Sequence, residues 1–167
     1  MPDSQKNLKA AFAGESQANQ RYHAFARKAE DEGYSMVARL FRAAAAAETV
    51  HAQNHIDAMG AVGDTMANLK KAMEGEADEF KSMYPEFIET AQDEGNEEAE
   101  ETFDLAMQVE QIHHELYGKA AEALKAGSDL PETPMYVCRG CGNTVEGEAP
   151  DECPICGAPK SWFMLIE

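Results

Sequence analysis

The chain has 167 residues, enough for one ordinary domain and a small second one. Its 31 acidic residues against 14 basic ones leave a net charge of −17. That argues against nucleic acid and anionic membrane surfaces as partners, because both are bound through Lys and Arg that displace counterions. No apolar run nears the roughly 18 residues that span a bilayer. Met1 to Lys9 lacks the apolar core of a secretory signal. The cytoplasm is therefore the expected compartment, and there four clustered cysteines bind metal in preference to forming disulfides.

Composition divides the chain into residues 1–127, a linker at 128–135 and a tail at 136–167. The first part is rich in Ala, Glu, Met and Lys and has proline only at Pro2 and Pro85. The tail and linker hold all four cysteines and five prolines. Four helices are predicted in the first part. The first starts at Asp3 or Ser4, either of which caps it, and stops at Gly33. The second runs from about Tyr34 to Met59, with Gly60 as its stop. The third runs from Asp64 or Thr65 to about Glu94 and ends at Gly95. Pro85 lies inside it, and an interior proline removes one backbone hydrogen bond and crowds the preceding turn, so a kink or break is expected near residues 81–85. The fourth starts at the cap Asn96, carries Glu97, Glu98, Glu100 and Glu101 at the positive end of its dipole, and closes at Lys125 and Gly127.

Each helix has a stripe at spacings of three and four that is apolar at its ends and polar in its middle. The second carries Glu48-Thr-Val-His51 and the fourth Glu110-Gln-Ile-His113, while the first carries Glu15 and the third Glu76 and Glu79. Residues three apart share one helix face. A pair of Glu-x-x-His motifs with carboxylates from two further helices is the inward-facing ligand set of ferritin-like di-iron bundles. The physical argument does not depend on the spelling. Burying an unpaired carboxylate costs several kcal/mol even after relaxation. Five in one core require cations, and carboxylates with imidazoles suit iron, manganese or zinc. Glu15, Glu48, His51, Glu76, Glu79, Glu110 and His113 are the expected metal ligands, enough for two bridged ions. Glu74, Glu86, Glu89, Glu94 and Glu97 read as solvated faces, and His23 as surface. His55 and His114 read as supports of the site or as exposed residues. Tyr22 and Tyr84 read either as hydroxyl partners of a bridging carboxylate or as core packing. The run Ala43 to Ala47 reads as a close-packing surface.

The tail holds Cys138-Arg-Gly-Cys141-Gly142 and Cys153-Pro-Ile-Cys156-Gly157. Two such knuckles make a tetrathiolate site, with each glycine allowing the tight turn whose amides point at sulfur. About forty residues do not make a core alone, so metal supplies folding energy. Zinc and iron both fit. Tyr136 and Trp162-Phe163 flank the cluster.

These motifs together resemble the rubrerythrin family over essentially the whole chain. The match runs through Ala11-Phe-Ala-Gly-Glu15-Ser-Gln, Glu48-x-x-His51, Gly75-Glu76-x-x-Glu79, Met83-Tyr-Pro85, Glu110-x-x-His113 and Tyr136 through Trp162. The resemblance implies an all-α ferritin-like four-helix bundle followed by a small β-rich, rubredoxin-like domain. It implies two non-haem iron ions in the bundle, one iron on Cys138, Cys141, Cys153 and Cys156, and reduction of hydrogen peroxide. It also implies that Glu15, Glu48, Glu76, Glu79, Glu110 and His113 hold the oxidised pair. On reduction one ligand changes from Glu79 to His51, which gives these two, with Tyr22 and Tyr84, catalytic roles. Family members form homodimers, in some cases with exchanged helices, and pair one subunit's tetrathiolate with the other's di-iron site. No G-x-G-x-x-G fingerprint for a nucleotide is present, so a separate donor protein, a reductase or rubredoxin, is expected. The rival readings are a ferroxidase or oxygen-reducing oxidase, and a non-enzymatic zinc-ribbon adaptor.

Overall fold

The structure is a computed structural model and describes residues 3–167. Asp3 opens the first helix: its side chain accepts a hydrogen bond from the Gln5 amide at 3.1 Å and satisfies one of the free donors of α1 (Ser4–Asp31). A short turn at Gly33 leads into α2 (Ser35–Ala58). The two helices pack through small side chains. Ala18, Ala26 and Ala29 of α1 and Ala38 and Ala45 of α2 are buried, and small residues let two backbones approach closely. Within the alanine run expected to pack, Ala45 is fully buried, Ala44 is half-buried, and Ala43, Ala46 and Ala47 are exposed. Asn19 bridges the pair: its Nδ2 donates to the Ala45 carbonyl at 2.7 Å and to Thr49 Oγ1 at 2.9 Å. This hairpin is one compact unit, ending at Gly63.

The second unit begins at Asp64. Asp64 caps α3 (Thr65–Asp78) by accepting from the Ala67 amide at 2.8 Å. A π-helical turn, Glu79–Met83, follows, and then α4 (Tyr84–Glu94). The expected irregularity at residues 81–85 takes this form. Pro85 lies in the first turn of α4, where its missing N–H and fixed φ do least harm. The wider turn places the Tyr84 amide on the Glu79 carbonyl, five residues back. Gly95, at φ 67°, ends α4, and Asn96 caps α5 (Glu97–Lys125) by accepting from the Ala99 amide at 3.2 Å.

The tail forms a three-stranded antiparallel sheet in the order β2-β1-β3, from β1 (Met135–Cys138), β2 (Thr144–Glu146) and β3 (Phe163–Ile166). It belongs to the same compact unit as α3, α4 and α5. The linker at 128–135 is thus a boundary in composition, whereas packing divides the chain between Gly63 and Asp64. Sequence texture marks where helix formers stop. It does not record that the Lys119 ammonium pairs with Glu146 and ties the tail to α5.

Candidate metal centres

The seven expected bundle ligands fall into sets carried by different units. In the first, Glu15 of α1 and Glu48 and His51 of α2 offer donor atoms within 4.8 Å of one another. The three-residue spacing puts His51 Nδ1 2.7 Å from Glu48 Oε2. The Glu48 side chain is only 16% exposed, whereas His51 is 53% exposed.

In the second unit, Glu76 of α3 and Glu110 and His113 of α5 form an equivalent set within 4.8 Å. His113 Nδ1 is 2.8 Å from Glu110 Oε2 and 4.0 Å from Glu76 Oε1. Burial, followed by a hydrogen bond and charge repulsion from Glu110, pushes the Glu76 carboxyl from 4.5 up to about 7. Two carboxylates this close resist ionising together, so without metal a proton stands between them. A cation in that proton's place satisfies both. Each set therefore offers two oxygens and one imidazole nitrogen, the donor chemistry of non-haem iron.

Glu79, at the start of the π turn, stands outside the Glu76, Glu110 and His113 set. Burial raises its carboxyl, with the Glu110 and Asp78 charges adding to the rise. Tyr84 packs its ring against Phe87 and Phe103. Its hydroxyl is pushed up by burial and then by Glu110, Glu79 and Glu76, so the phenol sits in the field of these carboxylates. Tyr22 instead joins an aromatic cluster with Phe25 and Phe41. His114 is a structural residue: its Nδ1 donates to the Met73 carbonyl at 2.9 Å and its ring meets Phe80 edge-on, joining α5 to α3 and the π turn. His55 is half-buried and His23 exposed.

The four cysteine sulfurs lie within 4.8 Å of one another. Cys138 to Cys156 and Cys141 to Cys153 are each 3.7 Å apart. A tetrahedron with metal–sulfur bonds of about 2.3 Å has edges of about 3.8 Å, so the sulfurs already hold a metal's geometry. Burial pushes the Cys141 thiol well above its usual range. Burial also raises Cys153, but the amides of Cys156 and Ile155 and the side chain of Asn143 outweigh it and bring that thiol down to about 6. The glycines after the knuckles, Gly142 and Gly157, take φ of 87° and 71°. Trp162 lies against Gly140, its Cε3 3.5 Å from where a Cβ would stand, and its carbonyl accepts the Arg139 amide.

Two contributors were invisible in the sequence. Asn143, 1% exposed, donates Nδ2 to Cys153 Sγ at 3.6 Å. Thr144 Oγ1 lies 3.0 Å from His113 Nε2. Both are residues of ordinary type at the start of β2, and the second contact spans 31 positions in the chain. No local spacing announces it.

Comparison with known proteins gives the family. The family profile described as rubrerythrin matches residues 6–121, and that described as the rubrerythrin rubredoxin-like domain matches residues 136–164. Rubrerythrin-2 of Clostridium acetobutylicum is 38% identical over 95% of this chain and 94% of its own. Nigerythrin of Nitratidesulfovibrio vulgaris is 38% identical over 95% of this chain and 84% of its own. Among solved structures, fully reduced, all-ferrous nigerythrin covers 99% of this chain and 88% of that one at 34% identity, with a TM-score of 0.59. The fold is the ferritin-like four-helix class followed by a rubredoxin-like domain, with α3, the π turn and α4 making up one of the four helices.

Proposed function

The chain belongs to the rubrerythrin family, and from that premise we propose that it is a peroxidase. It reduces hydrogen peroxide to two waters, taking up two electrons and two protons, with electrons relayed singly through the rubredoxin-like centre. Its cofactors are two non-haem iron ions on Glu15, Glu48, His51, Glu76, Glu79, Glu110 and His113, and one iron on Cys138, Cys141, Cys153 and Cys156. Two ferrous ions, when bound, supply together the two electrons that peroxide needs.

The protein's own groups do the rest. The carboxylates bind and neutralise the cations and tolerate their change of charge. Tyr84 keeps its phenolic proton and holds it beside the carboxylates as a donor. Glu79 and His51 are the ligands whose bonding changes with redox state. In support, Glu79 stands outside the tight set and His51 is half exposed with Glu48 beside it. The observation that carries the reading is the tetrathiolate in the same compact unit as Glu76, Glu110 and His113. A ferroxidase that stores iron needs no electron relay, and an adaptor needs no di-metal cage.

The reading includes a separate donor protein, a cytoplasmic setting and a homodimer. Phe25, Tyr34, Met36, Val37 and Leu40 leave large apolar groups exposed on the α1–α2 hairpin, the kind of surface a second copy covers. No helix among the described residues is long and apolar enough to cross a membrane. The test is to compare turnover of hydrogen peroxide and of dioxygen by the reduced, iron-loaded protein. Peroxide is expected to be the faster substrate. Faster dioxygen turnover would overturn the peroxidase reading in favour of the oxidase.

A further inference from the structure

Thr144 lies in the tail, far in sequence from the bundle ligands, yet it touches one of them. Its Oγ1 is 3.0 Å from His113 Nε2. The same hydroxyl donates its proton to the Gly142 carbonyl at 3.2 Å. With the proton committed there, a lone pair of Oγ1 is left for the imidazole, and Nε2 must be the donor. The other ring nitrogen, Nδ1, faces Glu110 Oε2 at 2.8 Å and Glu76 Oε1 at 4.0 Å. A cation held between these groups needs Nδ1 as a bare lone pair, and the neutral ring then carries its hydrogen on Nε2. A metal-binding histidine is oriented and made more basic by the acceptor on its far nitrogen.

We propose that Thr144 is the positioning residue for His113: it accepts the Nε2–H and so presents Nδ1 to the metal of the Glu76, Glu110 and His113 set. This rests on His113 being a ligand, as the proposed function has it. Thr144 suits the task because it is itself held. It opens β2, paired with Val137 of β1. The residue before it, Asn143, is fixed by the Cys138 amide on its carbonyl at 2.9 Å and by Cys153 Sγ on its side chain. At the other end of β2, Glu146 is paired with Lys119 of α5. Leu69, Leu116 and Met135 line the same cavity as His113 and Thr144. The hydroxyl thus ties a bundle ligand to the turn that holds the tetrathiolate. A loaded tail holds Asn143 and Thr144 in place, and Thr144 then holds His113.

The experiment uses the full-length protein carrying zinc, which is diamagnetic, with 15N-labelled histidine. Zinc is added first to fill the four-cysteine site and then in excess to fill the bundle. In the wild type, excess zinc shifts the His113 Nδ1 resonance and leaves a slowly exchanging Nε2–H. Thr144→Val keeps the shape and the β-branch but loses the hydroxyl. It is expected to lose the slow Nε2–H and to bind the second increment of zinc about tenfold more weakly. Thr144→Ser restores both. Retention of the slow Nε2–H and of zinc affinity in Thr144→Val, with Nδ1 still shifted by zinc, would overturn the proposal. Failure of zinc to move Nδ1 in the wild type would instead overturn the reading of His113 as a ligand. Should Thr144→Val misfold, the serine variant carries the test: a fast-exchanging Nε2–H in a folded Thr144→Ser protein contradicts the hydroxyl's role.

Discussion

Glu79 and Glu76 are three residues apart on one helix and have different parts. Glu76 offers a donor atom within 4.8 Å of those of Glu110 and His113, whereas Glu79 stands outside that set and feels their charges. A variant Glu79→Ala is therefore expected to fold, to bind metal, and to lose peroxidase rate by about 10- to 100-fold. Circular dichroism with steady-state peroxide turnover checks this, and full activity would mean that the extra carboxylate is not used. Glu76 makes a second prediction, for the metal-free bundle. Glu79, Glu110, His113 and Tyr84 all face it, and its carboxyl stands at about 7 instead of 4.5. The folded form then keeps a proton that the unfolded chain releases. Its contribution to stability is complete below pH 4.5 and is lost as pH rises to about 7. Urea midpoints of the metal-free protein should fall across that window. Metal added in the same window should displace about one proton, measurable by calorimetry in buffers of different ionisation enthalpy. A midpoint that rises with pH there would contradict the assignment.

At the scale of elements, much was readable because the signals are local. Asp3, Asp64 and Asn96 cap α1, α3 and α5 with their own side chains, and capping is chemistry between residues two or three apart. Asn96→Ala should accordingly cost about 1 kcal/mol, seen as a lower urea midpoint, while Glu97→Gln should cost far less. Pro85 announced an irregularity because it lacks an N–H, but its form was not legible. A kink, a break and a π turn all answer the same missing donor, and packing of α3 and α4 on α5 decides among them. The π turn starts at Glu79 itself, and such turns are frequent at functional sites. The stripes were legible for the same reason as the caps, since residues three and four apart share a face. Which rings surround the two tyrosines was not legible: Tyr22 packs on Phe25 and Phe41, and Tyr84 on Phe87 and Phe103.

At the scale of the molecule, composition divides the chain at the linker, where one family profile gives way to the other, whereas packing divides it between Gly63 and Asp64. Helix formers end at Lys125, so the tail reads as a separate piece, yet it packs as part of the unit that holds α3, α4 and α5. The contacts that attach it, Thr144 with His113 and Glu146 with Lys119, join residues 31 and 27 positions apart. Residues of ordinary type at long range leave no mark in a sequence. The tetrathiolate holds this small sheet together, and Trp162, the single tryptophan, reports on it. Chelating the tail metal should shift Trp162 emission to longer wavelength while the helical circular dichroism of α1 and α2 remains. Unmoved emission would mean that the sheet stands without its metal.

The central claim is that the bundle delivers electrons to peroxide in pairs and that the tail supplies them singly. Anaerobic titration of fully reduced, iron-loaded protein with hydrogen peroxide tests it most directly, with the colour of the oxidised tetrathiolate as the indicator. Three iron ions hold three electrons, and each peroxide takes two. The account predicts that the tetrathiolate colours fully no later than the end of peroxide uptake, and that uptake ends at three peroxides for every two chains. An end point at one peroxide per chain, with the tetrathiolate still reduced and colourless, would contradict it.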